Sequence, residues 1–138
     1  MTIPTELYVY IVSEEDYADG TVIMGEGGHG NWAYIVLEGR VKQKKRTARG
    51  LVTISTLKKG GIFGESNLLR NTREKRIVSI VAEGPVVLGL LDSDKITRDM
   101  DGLSPQLRKL IVTLAKRQQD VNIRFIDMLV KQMGNECA

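Results

Sequence analysis

The sequence predicts an α+β fold that is mainly β: an antiparallel roll or sandwich first, helices last. Two observations carry this. Short apolar runs rich in Val, Ile and Leu recur between residues 9 and 91, each closed by a glycine-bearing or polar turn. At Asp92 the text turns polar, and from Ser104 it carries helical spacing to about Met133. Strands followed by helices is the order of an α+β unit. The chain has 138 residues, of which 42% are hydrophobic and 27% charged, enough for one globular domain with a core of its own.

Taken in order, residues 1–8 read as a loose lead-in, with Pro4 against regular structure. Residues 9–12 read as a strand, Glu14-Glu15-Asp16 as a polar break and Asp19-Gly20 as a turn. Residues 22–24 form a short apolar run. Four glycines within residues 25–30 make a loop, because glycine holds a helix only at a cost. Residues 32–37 read as a strand closed by Gly39, with another beginning at Val41. The run from Lys42 to Arg49 reads as a polar hairpin tip, and residues 51–57 as the returning strand. Residues 76–82 and 86–91 read as two strands split by Glu83-Gly84-Pro85. Residues 93–101 suit a short helix stopped by Gly102. Ser104-Pro105 then opens a long one, Ser as N-cap and Pro at the first helical position, with Gly134 as its stop. The roll thus occupies about residues 9–92 and the helices 93–133, in a single domain of residues 1–138.

Several chemistries are excluded. Gly25, Gly27 and Gly30 match the spacing of a dinucleotide-binding glycine loop, but that motif needs a helix directly after it and residues 32–37 are aromatic and β-branched. His29 is the only histidine and Cys137 the only cysteine, too few for a structural zinc site or an internal disulfide. His29 reads as an exposed turn residue. No nucleophile elbow, phosphate-binding P-loop or zinc-protease motif is present, so the chain reads as a non-enzyme without metal or cofactor. Lys42, Lys44, Lys45, Arg46 and Arg49 lack interleaved aromatics and read as a solvated tip rather than a nucleic-acid surface. The net charge of +3 suits a small anionic ligand. No run is apolar enough for a membrane span and no signal pattern opens the chain, so the expected location is cytoplasmic.

The stretch around which the rest is organised is Gly60-Gly61-Ile62-Phe63-Gly64-Glu65-Ser66-Asn67-Leu68-Leu69-Arg70, followed by Arg76-Ile77-Val78-Ser79. Glycines set a turn, and Leu68-Leu69 reads as one buried helical turn. Unpaired amides at its start favour an anion, and Arg76 supplies a fixed cation opposite. A carboxylate beside an anion site makes sense if the ligand also carries hydroxyls, as a ribose cyclic phosphate does.

These residues resemble the phosphate-binding cassette of the cyclic nucleotide-binding domain family. Tyr17-Ala18-Asp19-Gly20-Thr21-Val22-Ile23, Glu26-Gly27 and Tyr34-Ile35-Val36-Leu37-Glu38-Gly39-Arg40-Val41 resemble its opening strands, so the likeness spans about residues 9–117. It implies a jelly-roll-like β-roll of about eight strands with short helices before and within it, then a hinge near residues 92–102 and a long helix. It implies Glu65 on the ribose 2′-hydroxyl, Arg76 on the phosphate, backbone amides of Gly64, Ser66 and Asn67 around that phosphate, and Ser79 as a weaker neighbour. The expected ligand is a cyclic nucleotide, cAMP ahead of cGMP, whose binding moves the last helix. The sequence departs from the family at Ser66 and Asn67, at Ile77 after the arginine, and in a longer Arg70-to-Lys75 segment. The alternative reading is therefore a degenerate roll that binds no nucleotide and serves as a protein-interaction module. No DNA-binding domain follows the long helix, so the chain reads as a sensor alone.

Within that helix Leu107, Ile111, Leu114, Gln118, Val121, Phe125, Met128 and Gln132 keep a 4-3 spacing, a heptad seam with two polar breaks. A helix of about 30 residues runs roughly 45 Å, more than one small domain covers. The distal half is expected to meet a partner, as a homodimer or with another protein. Lys116, Gln119 and Asn122 face either ligand or solvent.

Overall fold

The structure, a computed structural model, describes residues 5–136, and side chains as far as Met133. Pro4 and Cys137 lie outside the described residues. The domain is mainly an antiparallel sheet followed by a long helix. Its frame is two long strands, β3 (Tyr34–Thr47) and β6 (Ser79–Leu91), paired along nearly their whole length. The register between them shifts on either side of Glu38. There Gly39 takes a φ of 81°, and a Cβ would stand 2.5 Å from the Pro85 carbonyl oxygen, so only glycine fits the bend. Because the long strands bend, each serves two halves of the sheet. Beyond the bend towards Tyr34, they are flanked by β1 (Ile11–Tyr17) and β5 (Ile62–Phe63). In the other half they are flanked by β2 (Val22–Met24) and β4 (Gly50–Leu57).

The described strands number six, not about eight. Gly39 and the Glu83-Gly84-Pro85 stretch lie inside β3 and β6, where the sequence suggests breaks. Glycines with positive φ absorb the bend while the neighbouring ladder continues. Two further corrections concern the start. Val9 and Tyr10 end a short 3-10 helix, Thr5–Tyr10, and Glu14-Glu15-Asp16 lie within β1. β1 is an edge strand with alternate residues exposed, and charges there discourage pairing with another chain.

Alternation along β3 builds two cores. Tyr34, Val36 and Val41 pack with Met24, Phe63, Ile80, Ala82, Val86 and Leu88 inside the roll. Ala33, Ile35 and Leu37 pack with Leu68, Leu91 and Ile96 on the face that the helices cover. The apolar run at 33–37 is continuous because both faces of that half-strand are buried.

The helices are α1 (Glu65–Leu69), α2 (Ser93–Asp101) and α3 (Pro105–Glu136). Asp92 caps α2 by accepting from the Lys95 amide at 3.0 Å, and Ser104 caps α3 by accepting from the Leu107 amide at 3.2 Å. Gly102 closes α2 as expected. Gly134 does not stop α3, which continues to Glu136; a glycine inside a helix costs only about 1 kcal/mol relative to alanine. Tyr10 fastens α2 to the start of the chain, its hydroxyl donating to Asp99 at 2.6 Å.

Candidate functional site

A cavity of about 320 Å³ lies between the roll and α3, within the range of small-ligand sites. Gly64, Glu65, Ser66 and Asn67 line it on one side, and Lys75, Arg76 and Ile77 on another. Gln43, Ile54 and Ser55 contribute from β3 and β4, and Gln119, Asn122, Phe125 and Ile126 from α3. Six of the seven residues singled out in the sequence are thus brought together. Ser79 is not on the wall; it is buried, and its hydroxyl accepts from the Glu26 amide at 2.9 Å.

Gly64 makes the turn into α1 with a φ of 84°, and a Cβ there would stand 2.6 Å from the Trp32 carbonyl oxygen. Glycine is required for both reasons. Asn67 neither caps α1 nor spends its amide on the cavity. At 3% exposure it donates to the carbonyls of Gly30 (2.9 Å) and Glu74 (2.8 Å), tying the glycine loop to the segment before Arg76. Arg70 extends this brace, donating to the Ser66 hydroxyl at 3.2 Å and pairing with Glu74 at 2.7 Å.

Arg76 is held through its backbone and its side chain. Its amide donates to Gly28 and its carbonyl accepts from Gly27, both at 2.8 Å. Its Nη2 donates to the Trp32 carbonyl at 2.9 Å, and its Cζ lies 5.4 Å from the Trp32 ring centroid. Its Nε is buried with no partner among the described residues. Glu65 stands on the same cavity but is not among the ion pairs within 4.0 Å in the described residues. Glu65 is exposed to water yet crowded by protein around it. Burial raises its carboxyl above the usual range; a backbone hydrogen bond and the Arg76 charge oppose that rise. Burial lowers the pKa of Arg76, and the Glu65 charge opposes this.

A second brace joins the hairpin to the cassette. Lys45 Nζ donates to Glu26 and to the Ile77 carbonyl, each at 3.1 Å, while the Arg46 amide donates to Glu26 at 3.0 Å. Burial works against the Glu26 charge, but the Arg46 amide and Lys45 ammonium outweigh it and hold the carboxyl below its usual range. Lys42 pairs with Glu83 at 3.3 Å. The basic run is thus partly built into the fold and not simply a wet tip.

The sequence reading missed Trp32, Gln43, Ile54, Ser55 and Ile126 as site residues. Gln43 was within reach: it shares a strand face with Val41, whose burial marks the inner side. Trp32 carried no such signal. Of the three polar α3 residues left open between ligand and solvent, Gln119 and Asn122 line the cavity, whereas Lys116 pairs with Asp120 at 3.2 Å.

Residues 14–101 match the cyclic nucleotide-binding domain family. The chain belongs to that family. Cyclic nucleotide-binding domains are regulatory and generally non-catalytic. The solved structure of the EAL enzyme Bd1971 in its cAMP-bound form is similar, with a TM-score of 0.71 and 25% identity over 89% of this chain and 32% of that one. The chain therefore spans about a third of that protein's length. The cAMP-bound PfPKA-R matches with a TM-score of 0.61 and 26% identity over 85% of this chain and 36% of that one. The N-terminal domain of a transcriptional regulator from Streptomyces coelicolor shares the fold, with a TM-score of 0.60 and 20% identity over 80% of this chain and 77% of that one. No curated protein sequence matches the chain. Among the described residues no helix is long and apolar enough to cross a membrane.

Proposed function

We propose that this cyclic nucleotide-binding domain is a non-enzymatic sensor whose cavity takes a cyclic mononucleotide, cAMP ahead of cGMP. One observation carries the reading: Glu65 and Arg76 line the same cavity without an ion pair within 4.0 Å between them among the described residues, leaving a carboxylate for a ribose hydroxyl and a guanidinium for a cyclic phosphate. Backbone amides at the Gly64 turn add donors beside them. Two similar solved structures are described as cAMP-bound, which supports cAMP as the first ligand to try. Ser79 acts indirectly, through Glu26. Calorimetry with cAMP, cGMP and a cyclic dinucleotide tests the reading. Binding is expected for a mononucleotide, and Arg76→Ala should weaken it by more than about tenfold, the loss of a charge-assisted hydrogen bond. Absence of heat and of any thermal shift with all three would instead favour a roll used only for protein contacts.

Ligand entry is proposed to act on α3, because Gln119, Asn122, Phe125 and Ile126 close the cavity. The exposed stripe of the same helix, which shares Phe125 with the cavity wall, is proposed as a homodimer seam. Leu107, Leu114, Val121, Phe125 and Met128 are all exposed, Met128 by 69%, at the spacing of a two-helix interface. Sedimentation should show a dimer that Phe125→Glu converts to a folded monomer; a monomeric wild type at high concentration, with and without nucleotide, would remove the seam.

A further inference from the structure

The glycine loop at residues 25–31, rejected above as a dinucleotide motif, has a second use in the structure. Its backbone is the partner of Arg76, and the residue just after it, Trp32, lies against the Arg76 side chain. We propose that the Trp32 indole is the positioning residue for Arg76: it holds the guanidinium in the posture that meets a phosphate. The inference rests on the nucleotide reading of the cavity.

Three independent observations support it. First, Trp32 holds Arg76 twice, by its carbonyl at 2.9 Å from Nη2 and by its ring at 5.4 Å from Cζ. The ring contact is a cation–π one and uses none of the N–H donors of arginine, which lie in the guanidinium plane. Second, the loop makes room for this ring. A Cβ on Gly30 would fall 1.9 Å from a Trp32 ring carbon, and the Gly30 carbonyl is pinned by Asn67. Third, the donors of Arg76 are incompletely used. Among the described residues Nε is buried without a partner, and the Nη1 contact to the Gly64 carbonyl is 3.5 Å, at the limit of a hydrogen bond. Arg76 is half-buried, and a buried donor left unspent on its guanidinium is costly unless an incoming acceptor uses the posture. Trp32 does not line the cavity itself, so it acts through Arg76 and not on the ligand.

The test uses the whole chain with Trp32→Leu, Trp32→Phe, Arg76→Ala and the Trp32→Leu, Arg76→Ala double variant, each checked for folding by its melting curve. In the ligand-free protein the Arg76 Nε–H resonance, identified by its loss in Arg76→Lys, should stand apart from those of exposed arginines and exchange slowly with water. Trp32→Leu should move it among the exposed set, and Trp32→Phe should largely keep it. By calorimetry, cAMP should bind Trp32→Leu about tenfold more weakly and Trp32→Phe about threefold more weakly, the ranking expected of ring strength over a cation. The double variant should be no weaker than Arg76→Ala alone. An unmoved Arg76 signal in Trp32→Leu, or an equal loss of affinity with and without Arg76, overturns the proposal. If the wild type binds neither cAMP nor cGMP, the nucleotide reading falls, and the resonance alone decides whether Trp32 sets the posture of Arg76.

Discussion

The cassette wall of the cavity is tied by hydrogen bonds from several separate stretches of chain, whereas the α3 wall is held by packing, with Ile126 as its one buried contact among the described residues lining the cavity from that helix. Asn67, Arg76, Lys45 and Glu26 each bridge elements far apart in sequence. Hydrogen bonds are directional and fix distance and angle together. Half-buried side chains on a helix can slide at little cost. The difference teaches where ligand-dependent motion belongs: on the helix, with the phosphate end of the cavity already assembled.

The largest expected effect comes from cutting the cassette brace. Asn67→Ala leaves the Gly30 and Glu74 carbonyls without their shared donor, and urea unfolding should show a loss of about 2–4 kcal/mol. A loss well under 1 kcal/mol would mean that the two walls are less different than their bonds suggest. Next comes Ile126→Ala. Its effect should be local: amides of residues 119–130 exchange faster while those of β3 and β6 keep their protection. Equal loss in the strands would show the two walls open together.

The smallest effect, and the one that separates stability from function, is at Glu65. Its carboxyl is raised in the folded state, so its contribution is fully present below the unfolded value of 4.5 and is lost as pH rises through the folded value. Glu65→Gln should therefore melt slightly higher than the wild type at neutral pH without ligand, the gain fading on acidification towards pH 4.5. The same variant should bind a cyclic nucleotide more weakly.

Local signals were legible because their physics is local. Asp92, Gly102 and Ser104 set helix ends through bonds to residues three or four positions away, and Pro105 through its fixed φ, so the ends fell where the sequence placed them. The Gly64 turn, Glu65 and Arg76 were legible as a set because they sit within thirteen consecutive residues. Strand positions were legible from alternation, but their continuity was not. Gly39 and Gly84 look like ends in a one-dimensional reading, yet they are bends, because the partner strand continues past them.

By itself, then, the sequence determined the order of strands and helices, the cassette and the charges within it. Tertiary structure alone decided that Trp32 lies against Arg76 from 44 residues away and that Asn67 grips Gly30 from 37 away. It also decided that Gln119 and Asn122 face the cavity while Lys116 does not line it. The physical reason is the same for each: a residue's type sets what it can bond, but its partner is chosen by the bend of β3 and β6 and by the seat of α3, which exist only once the sheet has closed over its core.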